Sequence, residues 1–304
     1  MSSSTRSILL VVHPGREQIV ALVEDAAKRL IDAGFEVRMQ PGEAALAGGA
    51  AVTVLPGERA AEGVELVLAL GGDGTFLRAA EPARAAGAPM LGVNLGHVGF
   101  LAEAEPHALA ETIDAIVNRQ YTVEQRVTVE AEVHLGTRIV GSAWALNEVS
   151  VERTNRERML DVAVAVDGRP LLRFGCDGVL CATPTGSTAY AFSVGGPILW
   201  PNVDAMLIVP NAAHALFARP IVVAPTSTVQ IDLLGTEHEA VLTCDGRRSV
   251  SLPAGAQVYV RRGAAPVRIA RPHDGWDFAD RLVSKFQLPV RSFREATSPP
   301  DQIG

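Results

Sequence analysis

Val64-Glu65-Leu66-Val67-Leu68-Ala69-Leu70-Gly71-Gly72-Asp73-Gly74-Thr75 is the stretch that decides the fold. Val64 to Leu70 is an apolar run that reads as a buried strand, and Thr75 to Ala86 carries the spacing of a helix. The glycines between them let the backbone turn sharply and approach a ligand, while the following helix offers unpaired N–H groups and the positive end of its dipole to an anion. A carboxylate in such a cradle is electrostatically awkward unless it holds a metal ion or accepts a proton from a hydroxyl. The alternative is a tight turn in which Asp73 caps the helix. The segment is neither a Walker loop nor a GxGxxG fingerprint, because the Gly-Lys-Ser/Thr ending and the glycine spacing are both missing.

Upstream, Ser7 to Val12 reads as a buried strand, Glu17 to Ala33 as an amphipathic helix closed by Gly34, and Phe35 to Met39 as a strand. Downstream, Pro89 to Val93 reads as a strand and Pro106 to Asn118 as a helix. This alternation implies a parallel sheet with helices on its faces. Residues 40–63 are rich in Gly, Ala and Pro and show no clean period, with Ala51 to Leu55 as a possible short strand. A second glycine-bearing segment, Gly92-Val93-Asn94-Leu95-Gly96-His97-Val98-Gly99-Phe100-Leu101, leaves the strand after the first loop. Two such loops lie at one carboxyl edge of the sheet, where open α/β sheets bind ligands.

Around Tyr121 the period changes to two, as in half-buried antiparallel strands. Ile139 to Val151, Met159 to Val166, Pro170 to Phe174, Val222 to Leu234, Val241 to Cys244 and Gln257 to Arg262 continue that pattern. Asp167-Gly168 and Asp245-Gly246 are hairpin turn signals. Asp277 to Phe286 is helical, with Phe278, Leu282, Val283 and Phe286 on one stripe. The expected architecture is a Rossmann-like α/β domain over residues 1–121, then an antiparallel β-rich, sandwich-like domain over 122–271. A C-terminal helix segment over 272–296 returns to the first domain, and 297–304 form a disordered tail.

A chain of 304 residues with 48% hydrophobic and 20% charged residues has the material for two cores. The net charge of -7 argues against a phosphate-backbone binder, so no nucleic-acid partner is expected. Cys176, Cys181 and Cys244 have no CxxC spacing, and the histidines have no metal-ligand spacing. Ile8 to Val12 is too short for a membrane span or signal core, which points to the cytoplasm and to no membrane partner.

Two further segments carry polar chemistry. Asn147-Glu148 interrupts the apolar stretch Ala143 to Val151, and an adjacent amide and carboxylate reach either a ligand or a hairpin partner and solvent. Asp177 to Tyr190 runs from a carboxylate through Thr183-Pro184-Thr185-Gly186-Ser187-Thr188-Ala189 to an aromatic. Its hydroxyls and N–H groups suit the edge of a base and a ribose, and Tyr190 offers a face for a heteroaromatic ring; a plain capped helix is the alternative.

The GGDGT loop at Gly71 to Thr75, GxNxGxxGFL at Gly92 to Leu101, Asn147-Glu148, DG…TPTGSTAY at Asp177 to Tyr190 and Arg219-Pro220 occur in the order seen in NAD kinases, and the chain resembles that family over most of its length. The resemblance implies transfer of a phosphoryl group from ATP or inorganic polyphosphate to the adenosine ribose 2′-hydroxyl of NAD, giving NADP. It implies Asp73 as general base or orienter, with Gly71, Gly72, Gly74 and Thr75 facing the transferring group. Asn147 and Glu148 would hold the adenine and ribose side of NAD, and Asp177, Thr185, Thr188, Ala189 and Tyr190 would line the base-binding surfaces. Arg78 and Ser193 would be neighbours, and Asp245 the acidic residue near the substrate, unless it is simply a hairpin Asp. A divalent cation, Mg²⁺ by expectation and held mainly through donor phosphates, and a homodimer or homotetramer follow from the same resemblance. Pro210-Asn211-Ala212-Ala213-His214 lacks the second proline of the PxxPH pattern common in bacterial members.

A GGDG loop also marks lipid kinases of the diacylglycerol kinase type. There an Asn-Glu pair follows the loop almost directly, whereas here Asn147-Glu148 lies far downstream, which favours the dinucleotide. A non-catalytic NADP-binding sensor is the other alternative, and Asp73 counts against it, since a pure binder gains from losing a negative charge beside phosphates.

Overall fold

The computed structural model describes residues 5–13, 19–95, 99–101, 108–155, 158–235, 240–273 and 277–290. In chain order the elements are β1 (Ser7–Val12), α1 (Val20–Asp32), β2 (Glu36–Met39), β3 (Thr53–Val54), β4 (Leu66–Leu70), α2 (Asp73–Ala86), β5 (Pro89–Val93), α3 (Leu109–Val117) and β6 (Tyr121–Arg126). There follow β7 (Val129–Leu135), β8 (Arg138–Ala145), β9 (Glu148–Arg153), β10 (Leu160–Val166), β11 (Arg169–Cys176), β12 (Gly178–Ala182), α4 (Tyr190–Ser193), β13 (Met206–Asn211) and β14 (Ile221–Val223). The chain ends with β15 (Val229–Leu234), β16 (Ala240–Cys244), β17 (Arg248–Leu252), β18 (Gln257–Arg262), β19 (Val267–Pro272) and α5 (Phe278–Phe286).

The chain divides into two compact units, residues 1–123 with 270–304 and residues 124–269. The first unit is built on a seven-stranded sheet in the order β3-β2-β1-β4-β5-β19-β6, in which β1 to β5 pair in parallel. Its helices exist because they have an apolar stripe to bury: α1 buries Val23, Ala26, Ala27 and Leu30, the i, i+3, i+4, i+7 set of one helical face. Those residues join Ile8, Leu10, Val12, Leu66, Leu68 and Leu70 in one core. Residues 40–63, which show no period in the sequence, form 3₁₀ turns at Ala44–Ala47 and Gly57–Ala61 around the two-residue β3. The C-terminal helix α5 belongs to this first unit. It starts from a reciprocal capping box between Asp277 and Asp280.

The second unit holds two six-stranded antiparallel sheets, β11-β10-β15-β18-β7-β8 and β14-β13-β12-β9-β16-β17. Alternate residues of both fill a shared core, as expected of a sandwich: Val129, Ala131 and Val133 of β7 meet Val149, Val151, Val162, Ile208, Ile231, Leu242 and Val258 there.

The expected alternation in the first half and the strands of the second half are both present, with informative departures. Ile139 to Val151 is not one strand but β8 and β9, broken at Leu146-Asn147. The backbone groups there are taken by other partners: both N–H groups donate to the Asp245 carboxylate, the Leu146 carbonyl accepts from Thr183 Oγ1, and the Asn147 carbonyl from the Thr183 N–H. Val222 to Leu234 likewise divides into β14 and β15 around Pro225, which cannot donate to a ladder. β12, β13, β17 and β19 have no counterpart among the strands expected from the sequence. The helix expected from Thr75 begins at Asp73. The starts of the helices expected at Glu17 and Pro106, Gly96 to Val98 of the second glycine loop, and the expected tail 297–304 lie outside the described residues. Among the described residues no helix is long and apolar enough to cross a membrane.

Candidate active site

In the first unit, β4 delivers the chain into Gly71-Gly72, and α2 starts at Asp73 with Gly72 as its N-cap and no side-chain cap. Asp73 therefore does not cap its helix. Its carboxylate instead accepts hydrogen bonds from the N–H groups of Phe100 (3.2 Å) and Leu101 (3.1 Å), residues of the second glycine-bearing segment. Gly99 makes that approach possible, because a Cβ there would sit 2.2 Å from Asp73 Oδ1. A carboxylate has about four acceptor directions, so each Asp73 oxygen keeps capacity for a ligand. Asp73 and Gly72 are half-buried, Gly74 is exposed, and Gly71 and Thr75 are buried.

Arg78, one turn further along α2, is engaged within the protein. It donates to the Val12 carbonyl at the end of β1 and pairs with Glu43 at 2.8 Å. Glu43 also accepts from the Val12 N–H at 3.0 Å, and burial raises its carboxyl above the usual range despite the opposing N–H and guanidinium. Nothing in the sequence around Glu43 signals this role.

Phe100 is held from the other side by α5. Its ring lies 6.4 Å from Phe278 and 5.5 Å from Phe286, and its carbonyl accepts from Arg281 at 3.1 Å. The C-terminal helix thus braces the residue that orients Asp73.

In the second unit, the corner between β8 and β9 carries Asn147 and Glu148, both buried. Asp245 supports that corner. It sits in the β16–β17 hairpin at φ 54°, and its carboxylate accepts from Asn147 N–H at 2.6 Å and Leu146 N–H at 3.0 Å and pairs with Arg248 at 2.7 Å. The Thr185–Thr188 turn docks on the same corner. Gly186 lies so close that a Cβ there would be 2.0 Å from the Asn147 carbonyl oxygen.

Three buried side-chain atoms here have no hydrogen-bond partner: Asn147 Oδ1, Glu148 Oε2 and Thr185 Oγ1. Such atoms are costly to bury unless a ligand satisfies them. Glu148 is pushed up to about 8, first by burial and then by the Asp245 charge, against a hydrogen bond from the Tyr190 backbone. Burial raises Asp245 as well, against its N–H donors and Arg248.

Asp177 is half-buried and pairs with Arg153 at 2.8 Å. Thr188 and Ala189 are half-buried, Ser193 is exposed at the end of α4, and the Tyr190 hydroxyl donates to Glu152 at 2.7 Å. The structure thus gathers Asn147, Glu148, Thr185, Tyr190 and Asp245 around one corner of the second unit, and Asp73 with the glycine loops in the first. Sequence reading missed Glu152, although it shares the period-two face of β9 with Glu148.

Residues 8–121 match the ATP-NAD kinase N-terminal domain and residues 146–271 the ATP-NAD kinase C-terminal domain. The chain is 51% identical over 300 residues to NAD kinase 2 of Streptomyces coelicolor, covering 96% of this chain and 97% of that one. It is 49% identical over 307 residues to an NAD kinase of Nocardia farcinica, covering 96% and 94% of the two chains. Among solved structures, an NAD kinase from Archaeoglobus fulgidus in complex with ATP superposes with a TM-score of 0.70 at 26% identity, over 92% of this chain and 97% of that one. Yeast NADH kinase complexed with NADH shares the fold with a TM-score of 0.84 at 21% identity, over 96% and 90% of the two chains. The chain belongs to the NAD kinase family of phosphotransferases.

Proposed function

We propose that this NAD kinase transfers a phosphoryl group to the 2′-hydroxyl of the adenosine ribose of NAD, with Asp73 accepting the hydroxyl proton. The ribose oxygen forms the new bond to the terminal phosphorus of the donor as the bond to the leaving phosphate breaks, giving NADP. The observation that carries this reading is the Asp73 carboxylate, oriented by backbone N–H donors from outside its own helix rather than spent as a cap. A fixed acceptor needs no reorganisation when the proton leaves. The amide oxygen of Asn147 and the carboxyl of Glu148 bind the nucleoside, where ribose and base groups satisfy their unpartnered atoms and that of Thr185. Tyr190 offers its ring to a base. Asp245, turned to the backbone, positions Asn147 and Glu148 rather than touching substrate, and Arg78 orders the end of β1 with Glu43.

Among the described residues no group of three or more His, Cys, Asp or Glu is placed to hold a metal ion. A hard divalent cation would be carried mainly on the donor phosphates and its waters, which demands no dedicated cluster of protein carboxylates. Such a cation neutralises charge on the phosphate oxygens.

The experiment is incubation with NAD and Mg²⁺ plus, separately, ATP or inorganic polyphosphate, with NADP detected by a dehydrogenase specific for it. NADP is expected with ATP, and formation with polyphosphate reports a second donor. No NADP from either donor would overturn the reading.

A further inference from the structure

The outer face of the sheet containing β9, β12 and β13 can be read row by row from its register. Ala182 pairs with Glu148 and with Leu207, Leu180 with Ser150 and Val209, and Gly178 with Glu152 and Asn211. Directly paired residues share a face, so these form three successive rows. The middle of the last row is a glycine. A Cβ at Gly178 would lie 2.7 Å from the Val151 carbonyl oxygen and 3.0 Å from Glu152 Cγ.

Tyr190 spans these rows. Its backbone N–H bonds the Glu148 carboxylate, and its ring packs on the cluster of Leu180, Ala182, Leu207 and Val209. Its hydroxyl donates to Glu152 Oε1 at 2.7 Å and accepts from Asn211 Nδ2 at 3.1 Å, so the side chains flanking Gly178 both reach it. Glu152 is itself held by Ser150 Oγ, which donates to Oε2 at 2.8 Å. A phenol hydroxyl lies on the ring axis, so these bonds fix where the axis points, while the apolar cluster fixes the roll of the ring about it.

We propose that Glu152 and Asn211 are positioning residues that lock the Tyr190 ring as the surface on which a base of NAD stacks. The proposal rests on the reading of Tyr190 given above. A preset ring spares the ordering cost of an aromatic side chain when ligand binds, so the clamp acts on NAD affinity and leaves the phosphoryl-transfer step alone.

The test is steady-state kinetics of the full chain at saturating donor with NAD varied. The variants are Glu152→Leu, Glu152→Gln, Asn211→Ala, Tyr190→Phe, Tyr190→Ala and the double variant Glu152→Leu/Tyr190→Phe, each checked for folding by thermal unfolding. KM for NAD is expected to rise about three- to tenfold in Glu152→Leu and Asn211→Ala with kcat within about twofold. Glu152→Gln, whose amide oxygen still accepts from the phenol, restores the KM. The double variant is expected to be no weaker than its worse parent, because both changes remove one constraint. An unchanged KM in Glu152→Leu and Asn211→Ala, or additive effects in the double variant, overturns the clamp. If Glu152→Leu does not fold, Asn211→Ala decides. Unchanged KM in Tyr190→Ala removes the stacking reading itself. A raised KM there, with normal values in Glu152→Leu and Asn211→Ala, removes only the clamp.

Discussion

Glu148 is a buried carboxyl pushed up to about 8, and that shift fixes the sign of a pH dependence. Between its ordinary 4.5 and about 8 the folded protein holds a proton that the unfolded chain has released. Stability from this group is therefore full below 4.5 and lost as pH rises through about 8. Asp245, also raised, adds a slope of the same sign. Thermal unfolding followed from pH 5 to about pH 9 is expected to show a decline in wild type that is shallower in Glu148→Gln. Equal slopes in the two proteins would contradict the burial of that carboxyl. At this scale Asp73 was legible because glycines on both sides of a carboxylate between a strand and a helix are chemically unusual. Asp245 was only half legible: its Asp-Gly pair announced a hairpin, but its grip on Leu146 and Asn147 joins residues nearly a hundred apart in sequence.

Elements marked by one clear local signal were read well: α1 by its helical period, β1 and β5 by their short apolar runs. Where a strand ends was harder, because tertiary bonds decide it: β8 and β9 look like one apolar run and part at Leu146-Asn147 only because Asp245 and Thr183 take their backbone groups. The stripe of α5 was visible, but not what it braces. Since α5 holds Phe100 through Arg281 and the Phe278 and Phe286 rings, and Phe100 holds Asp73, disturbing the helix should reach the chemistry. Arg281→Gln and Phe286→Ala are each expected to lower kcat about tenfold while the KM for NAD stays within about twofold, since loss of positioning affects the transition state most. A kcat equal to wild type in both variants would sever α5 from the active site.

Across the whole molecule, the two-part plan of parallel α/β followed by antiparallel sheets was readable from the change of period near Tyr121. The insertion of β19 between β5 and β6 was not, because strand order depends on pairings between distant segments that no local pattern encodes. The ordered set of motifs spanning both halves identified the family, and the distance from GGDGT to Asn147-Glu148 separated it from lipid kinases. The proposed transfer assigns the hydroxyl proton to Asp73, so the most direct measurement is NADP formation by Asp73→Asn beside its NAD affinity. Turnover is expected to fall by about a hundredfold or more with NAD binding still detectable. Turnover equal to that of the wild type would contradict the assignment of the proton to this carboxylate.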